Sequence, residues 1–516
     1  MKIFKISLFL LLIFSAISCK REVSLRLTRE NCYNQELGET VICGTFEVME
    51  NRDVGRGRSF KLNFIILPAR TNTPAPDPVF AFSGGPGQGA AQQAVSWAQD
   101  LDRLRQERDI VLVDQRGTGS SNPLPCNRIG DQQRAQTYLQ DMFPGDYVSR
   151  CREELERNND LHYYHSTIAA ADINDLRQAL GYDSINLFGG SYGGYQAIVY
   201  MKNFPGTVRS ACLMLPAVPW DLYPATLAED TQEVLERMFS DCAADPNCAA
   251  DYPNLENEFY EILFRLQHGP VTATITNPIN NQPESVTFTY NNFIAGFRSL
   301  LYGASGQRWA PAVIYWTYRG VYFPIIELTV QVLYEQQLSI MDGMYLCVTC
   351  TESIPYIDYA AAQARAAGTF MGTYRLDQQR QACDLWVQGD LPAGFLTPPT
   401  AAIPTFILTG DIDPAVRPVI GEQLAGNLPN SVHYNVPNSG HEFGNAWENC
   451  LEAVIAQFIS QASTASLDFR CADNNQRPPW VSWRDYSSES SENPGKLRAE
   501  IKTRFPGTRH QYPARE

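Results

Sequence analysis

The run Ile185-Asn186-Leu187-Phe188-Gly189-Gly190-Ser191-Tyr192-Gly193-Gly194 decides how the rest of the chain is read. Ile185 to Phe188 has the apolar character of a short buried strand, and the residues after Gly194 have that of a helix. Between them, Gly189-Gly190-Ser191-Tyr192-Gly193 fits G-x-S-x-G, the turn that lifts a serine hydroxyl off the end of a strand. The glycines have a physical reason. Such a serine sits on a strained backbone, and its near neighbours must lack side chains to clear the flanking strand and helix. The helix N-terminus behind Ser191 also presents N–H groups that stabilise negative charge. Chance matches to G-x-S-x-G are common, so the strand-turn-helix setting gives this one its weight.

A serine hydroxyl is a weak nucleophile until a base removes its proton, so an acid and a histidine are expected after it, in that order. Of the six histidines, His433, His441 and His510 lie beyond the later run of strands. His510 falls in the polar C-terminal segment, and His433 lies inside the expected strand Val432 to Val436. His441 follows Pro437-Asn438-Ser439-Gly440, a loop directly after that strand, and is the expected base. The expected strand Ile403 to Leu408 ends in Thr409-Gly410-Asp411-Ile412-Asp413-Pro414. Both aspartates therefore stand at a strand's carboxyl end, where catalytic groups gather in open α/β sheets. Asp413, further into the loop, is the favoured acid, with Asp411 as the alternative.

A second backbone donor must join the N–H of Tyr192 in an oxyanion hole. The strand Val79 to Phe82 runs into Ser83-Gly84-Gly85-Pro86-Gly87-Gln88-Gly89, and Gly85 is the expected donor. The same segment, through Ala90, also fits the dinucleotide fingerprint G-x-G-x-x-A, with Asp114 as a ribose ligand. Against that reading, Pro86 removes an amide, two β-like runs precede the motif, and no dehydrogenase site follows. No GK[ST] follows either, which excludes a Walker loop.

Outward from these motifs, β-like runs Val41 to Met49 and Phe60 to Leu67 come first. Short apolar strands then alternate with helix-like stretches such as Ile168 to Leu180, the pattern of a parallel sheet covered on both faces. The alternation breaks near Trp220. From residue 220 to 398 the pattern is mainly helical (Thr226 to Phe239, Leu255 to Gln267), interrupted by a hairpin of Thr272 to Thr276 with Ser285 to Tyr290. The α/β pattern resumes over 399–471. The expected architecture is thus a core over 30–219 and 399–471, with residues 220–398 inserted as a cap. Residues 472–516 read as a polar, mobile tail, whose beginning Trp480 and Trp483 are expected to tack onto the domain.

With 41 basic and 56 acidic residues among 516, the chain carries a net charge of −15, which disfavours a nucleic-acid partner. Lys2 and Lys5 followed by apolar Ile6 to Ile17 read as an export signal over 1–18, too short to span a bilayer. Ala16-Ile17-Ser18-Cys19 resembles a lipobox, which makes Cys19 a candidate lipidation site and membrane attachment point; an ordinary cleaved signal is the alternative. Without Cys19, 12 of the 13 cysteines remain, an even number that suits disulfides in an oxidising compartment. Nearness in sequence suggests Cys32 with Cys43, Cys126 with Cys151, Cys242 with Cys248 and Cys450 with Cys471, and Cys350 with Cys383 in addition. Spacing does not fix connectivity. Cys347-Val348-Thr349-Cys350 could instead be half of a zinc site, although no second CxxC stands near it.

Three motifs taken together, Ser83-Gly84-Gly85-Pro86-Gly87, Asp114-Gln115-Arg116-Gly117-Thr118-Gly119-Ser120-Ser121 and Gly189 to Gly194, resemble the proline iminopeptidase and tripeptidyl aminopeptidase family. The resemblance extends to Gly410-Asp411-Ile412-Asp413-Pro414 and Ser439-Gly440-His441. It implies an α/β-hydrolase fold, a mostly parallel central sheet flanked by helices, with a large helical cap insertion. It also implies a serine exopeptidase without metal or cofactor, acting on peptides with a free N-terminus. Such an enzyme needs a carboxylate for the α-ammonium group. Cys350-Thr351-Glu352 is similar to the family's Cys-x-Glu cap segment, which makes Glu352 the first candidate and Glu442, beside the expected base, the second. Ser83 and Tyr192 depart from the His and Trp of many members, which widens the expected specificity beyond proline. Two other readings of the same residues are an esterase or lipase using the same triad, and a non-catalytic binding protein on this scaffold.

Overall fold

The computed structural model describes residues 27–54 and 56–486. The signal segment, Cys19 and His510 lie outside the described residues. Eleven strands are described: β1 (Leu27–Asn34), β2 (Glu39–Met49), β3 (Ser59–Leu67), β4 (Val79–Phe82), β5 (Ile110–Val113), β6 (Ile185–Gly190), β7 (Val208–Met214), β8 (Val271–Thr276), β9 (Pro283–Phe288), β10 (Thr405–Gly410) and β11 (Ser431–Val436). All but β8 and β9 form one sheet, in the order β1-β2-β3-β5-β4-β6-β7-β10-β11. The first three strands form an antiparallel meander that joins β5 antiparallel. From β5 to β11 every pairing is parallel.

The central strands are short because both faces are covered. All four residues of β4 and of β5, and all six of β10, are buried. Each large aliphatic side chain taken fully from water there stabilises the fold by roughly 1.5–3 kcal/mol. Connections from β4 lead to one side of the sheet and those from β6 to the other, yet β4 and β6 are neighbours. Their carboxyl ends therefore flank the crevice that opens where strand order reverses, the usual ligand site of such sheets.

Between β7 and β10 the chain builds a mainly helical layer with the hairpin β8–β9. The hairpin ends two residues before the Tyr290 expected from sequence. Thr289 caps the helix Tyr290–Leu300 in a reciprocal capping box with Asn292, so Tyr290 opens a helix. This layer has its own core, where Phe259 meets Phe293, Phe297 and Phe370. Residues 472–486 do not hang free. Tyr252 donates its hydroxyl to the Val481 carbonyl at 2.7 Å, and Trp483 stacks on Tyr315 at 4.8 Å.

Five disulfides join Cys32–Cys43, Cys126–Cys151, Cys242–Cys248, Cys350–Cys383 and Cys450–Cys471. The even tally of twelve does not translate into six bonds, because Cys212 and Cys347 are buried free thiols. With Cys350 bonded to Cys383, the Cys347 to Cys350 spacing does not supply half of a zinc site. Disulfides in this number suit a protein that folds outside the cytosol. No helix among the described residues is long and apolar enough to cross a membrane.

Candidate active site

Ser191 stands between β6 and the helix Tyr192–Asn203 with φ 55° and ψ −124°, a left-handed conformation that a side chain rarely tolerates. Two hydrogen bonds hold the turn: Ser191 N–H donates to Met214 at 3.0 Å, and Ala217 N–H donates to the Ser191 carbonyl at 3.1 Å. Crowding explains the glycines around it. A Cβ on Gly193 would lie 2.1 Å from the Phe82 carbonyl oxygen, and one on Gly189 would lie 2.4 Å from that of Gly193. The serine is thus pressed outward from the ends of β4 and β6.

The expected base and acid meet. His441 Nδ1 lies 2.7 Å from Asp413 Oδ2. Asp413 is 2% exposed, and its other oxygen accepts from Ala415 N–H at 2.7 Å and Val416 N–H at 3.1 Å, so its orientation is fixed. The N–H of His441 donates to the Tyr302 carbonyl, and the Tyr302 ring stands edge-on to the imidazole at 5.4 Å. Asp411 lies apart from this couple. It faces Arg237 and the backbone of Asn438 and Ser439, and burial raises its pKa. His433 is held by Thr409 Oγ1 at 2.7 Å.

Ser191 and His441 both line a cavity of about 510 Å³ between the core and the insertion. Gly84, Gly85 and Tyr192 line it too, and a Cβ on Gly84 would lie 3.7 Å from the Ser191 Cβ. The glycine loop after β4 therefore runs beside the nucleophile. Asp114 explains how that loop is held. Its carboxylate accepts from Ala91 N–H at 2.8 Å, Ser120 N–H at 2.9 Å and the Asn63 amide at 3.0 Å. Those contacts tie the loop after β4 to the turn after β5 and leave no ribose-binding role for Asp114. Arg116, two residues on, is buried and forks onto Asp172 at 2.7 and 2.9 Å.

Glu352 and Glu442 also line the cavity. Glu352 ends the helix Asp342–Glu352 and is 1% exposed. It accepts from Ser166 N–H at 2.6 Å and Ser166 Oγ at 2.8 Å. Burial pushes its pKa up to about 7, against the lowering effect of Ser166 and Tyr195. Glu442 is half-buried and accepts from Ser305 Oγ at 2.6 Å. Sequence reasoning did not reach Ser166, Tyr302, Arg298 or Arg375. They belong to ordinary helical or loop stretches, and only packing brings Tyr302, Arg298 and Arg375 to the cavity and Ser166 to Glu352 behind it.

This arrangement can activate a hydroxyl, stabilise an oxyanion and hold a cationic group nearby. The family model for the α/β-hydrolase fold matches residues 77–444. The serine protease Hip1 of Mycobacterium tuberculosis is 24% identical over 420 residues, 75% of this chain and 79% of that protein. The Escherichia coli protein YuaR is 24% identical over 284 residues, which span 50% of this chain and only 56% of YuaR. The tripeptidyl aminopeptidase of Streptomyces lividans is 31% identical over 115 residues, 20% of each chain.

Proposed function

The chain belongs to the α/β-hydrolase family, and from that premise we propose that it is an exported serine aminopeptidase. It releases N-terminal residues, proline or a short unit, from peptides through an acyl-enzyme. The observation that carries this reading is the buried carboxylate of Glu352 in the same cavity as Ser191 and His441. A hydrolase acting on neutral esters has no use for such a group, whereas an exopeptidase must bind an α-ammonium. The likeness to a serine protease and, over a shorter stretch, to a tripeptidyl aminopeptidase supports the same choice.

Ser191 Oγ attacks the scissile carbonyl while its proton passes to His441 Nε2. Asp413 holds the imidazole tautomer and stabilises the imidazolium. The N–H groups of Tyr192 and Gly85 receive the oxyanion. The C–N bond then breaks as His441 returns the proton to the leaving amine. Water, deprotonated by the same imidazole, hydrolyses the ester and frees Ser191. Glu352 fixes the substrate's N-terminus, and Glu442 borders the same space. Lipidation of Cys19 would tether the enzyme to a membrane.

The test uses the mature protein and Ser191→Ala on prolyl, alanyl and tripeptidyl chromogenic amides, each with free and acetylated N-termini, beside a short-chain ester. Cleavage confined to free N-termini and lost in the variant is the expected result. Turnover of the ester alone would assign the site to an esterase. No labelling of Ser191 by a fluorophosphonate would leave a binding protein.

A further inference from the structure

Three arginines line the cavity, Arg128, Arg298 and Arg375, and the hydrolytic steps leave all of them unused; Arg128 lies on the side of Asp342 and Tyr147. Arg298, on the helix Tyr290–Leu300, and Arg375, on the helix Tyr374–Asp384, reach it from the insertion. Both find phenols rather than carboxylates. Arg298 Nη2 donates to Tyr302 Oη at 2.5 Å and lies over that ring at 4.6 Å. Arg375 Nη2 donates to Tyr345 Oη at 2.6 Å. Arg375 also lies over the Tyr223 ring at 5.8 Å. Burial alone would raise Tyr223, but the Arg375 and Arg298 charges outweigh it and hold the phenol below its usual range. The Nε of each arginine is buried without a hydrogen-bond partner.

Elsewhere three of the chain's four buried arginines meet acids, while Arg177 is held by Asn174 and by the carbonyls of Tyr182 and Asp183. Arg116 meets Asp172 at 2.7 Å, Arg105 meets Glu39 at 2.7 Å, and Arg108 meets Asp77 at 3.0 Å. Among the described residues no carboxylate comes within ion-pair distance of Arg298 or Arg375. Asp342 also lines the cavity, but its carboxyl takes the Tyr147 hydroxyl and feels Arg128 more strongly than Arg375. Glu352 is engaged by Ser166, and Glu442 by Ser305. Two neighbouring cations in a partly buried site, with no carboxylate paired to either, are costly unless an anion joins them. A planar fork with a spare Nε suits a carboxylate above other groups.

We propose that Arg298 and Arg375, beside Tyr223, form an anion subsite that takes a carboxylate of the peptide substrate. This rests on the peptidase reading of the site. Tyr302 sets the distance, since one face of the phenol carries Arg298 while the ring edge meets His441. The anion thus sits one side chain away from the base. With Glu352 as the ammonium partner, the preferred substrate is a short peptide carrying both charges, and 510 Å³ is a suitable volume for one. The carboxylate comes either from an acidic side chain or from the peptide's own C-terminus.

The experiment follows cleavage of three short alanine-based peptides by chromatography: the free acid, the C-terminal amide, and the amide with one alanine replaced by glutamate. The wild-type enzyme should favour an anionic peptide over the neutral amide by roughly tenfold or more in kcat/KM. Preference for the free acid names the terminus, and preference for the glutamyl amide names the side chain. In Arg298→Gln and Arg375→Gln the ratio should fall towards one, and Arg375→Lys should restore part of it. Equal cleavage of all three peptides by the wild type would overturn the subsite, as would a preference that survives both glutamine variants. Should only esters be cleaved, the peptidase reading fails by itself. The subsite is then judged by a carboxylate-bearing half-ester against its methyl ester, and an equal rate on both overturns it.

Discussion

Ser166 donates twice to Glu352, through its backbone N–H at 2.6 Å and its hydroxyl at 2.8 Å. The Tyr192 hydroxyl lies 2.8 Å from the same Ser166 Oγ. A chain of hydrogen bonds thus runs from Tyr192 through Ser166 to Glu352. The residue whose N–H is proposed to face the oxyanion is tied by its side chain to the carboxylate proposed for the ammonium. The two Ser166 donors occupy part of the carboxylate's acceptor capacity and leave room for more from the substrate.

Glu352→Gln should therefore strike binding more than chemistry. A hydrogen bond to a charged group contributes about 1.5–3 kcal/mol, so kcat/KM on free-N-terminus amides should fall roughly 10- to 100-fold, mostly through KM. Steady-state kinetics on free and acetylated substrates give the comparison. An equal loss on both would show that Glu352 acts through the fold.

The raised pKa of Glu352 gives this site a characteristic pH response. The ammonium needs the carboxylate form, so 1/KM should rise with pH through about 7. It should fall again as the substrate amine deprotonates at about 7.7–8.0. Stability runs the other way. Between the ordinary glutamate value of 4.5 and about 7, the folded chain holds a proton at Glu352 that the unfolded chain releases. The contribution is present below 4.5 and is lost as pH rises through about 7. Across pH 4–9 the melting temperature of the wild type should fall relative to that of Glu352→Gln as pH rises from 4.5 through about 7, and a constant difference would contradict the raised pKa.

The serine, its base and its acid were legible because each is bound to local chain geometry. A strained turn needs Gly189 and Gly193, and the acid and base follow strand ends marked by Gly410 and Gly440. The sheet was legible from its unbroken apolar strands, but β1 was not. Leu27-Thr28-Arg29-Glu30-Asn31 is an edge strand with mostly exposed side chains, so no buried face imposes an alternating pattern. Ser166, Arg298 and Arg375 carry no motif at all. Their positions depend on how three helices dock, which no local period records.

The choice between the two aspartates can be measured directly. Asp413→Asn should keep the structure but impose the wrong imidazole tautomer, lowering kcat by about 10⁴. Asp411→Asn, away from His441, should change kcat little. Comparable losses in both would contradict the 2.7 Å contact as the functional one.

The Arg116–Asp172 pair sits behind the site and outside the chemistry, with both side chains almost fully buried. Asp172→Ala leaves Arg116 uncompensated and should cost about 3–5 kcal/mol of stability. The expected readout is a clear drop in melting temperature, with normal turnover per folded molecule well below it. An unchanged melting temperature would show that the carbonyls of Glu50 and Tyr163, which also accept from Arg116, suffice to hold it.

Cys350–Cys383 joins the helix that ends in Glu352 to the helix that carries Arg375. The bond therefore fixes the two opposite charges of the cavity relative to one another as well as closing a loop. Loop closure at a sequence separation of 33 stabilises by roughly 3–4 kcal/mol in the chain-entropy account. Positioning adds a second effect, because a binding site loosened by a fraction of an ångström loses affinity before it loses its fold. The double variant Cys350→Ser, Cys383→Ser should melt lower and, at temperatures where it is fully folded, show a raised KM on free-N-terminus amides with nearly unchanged ester turnover. A variant that melts lower but keeps its KM would confine the disulfide to stability, and would mean that packing alone aligns Glu352 with Arg375.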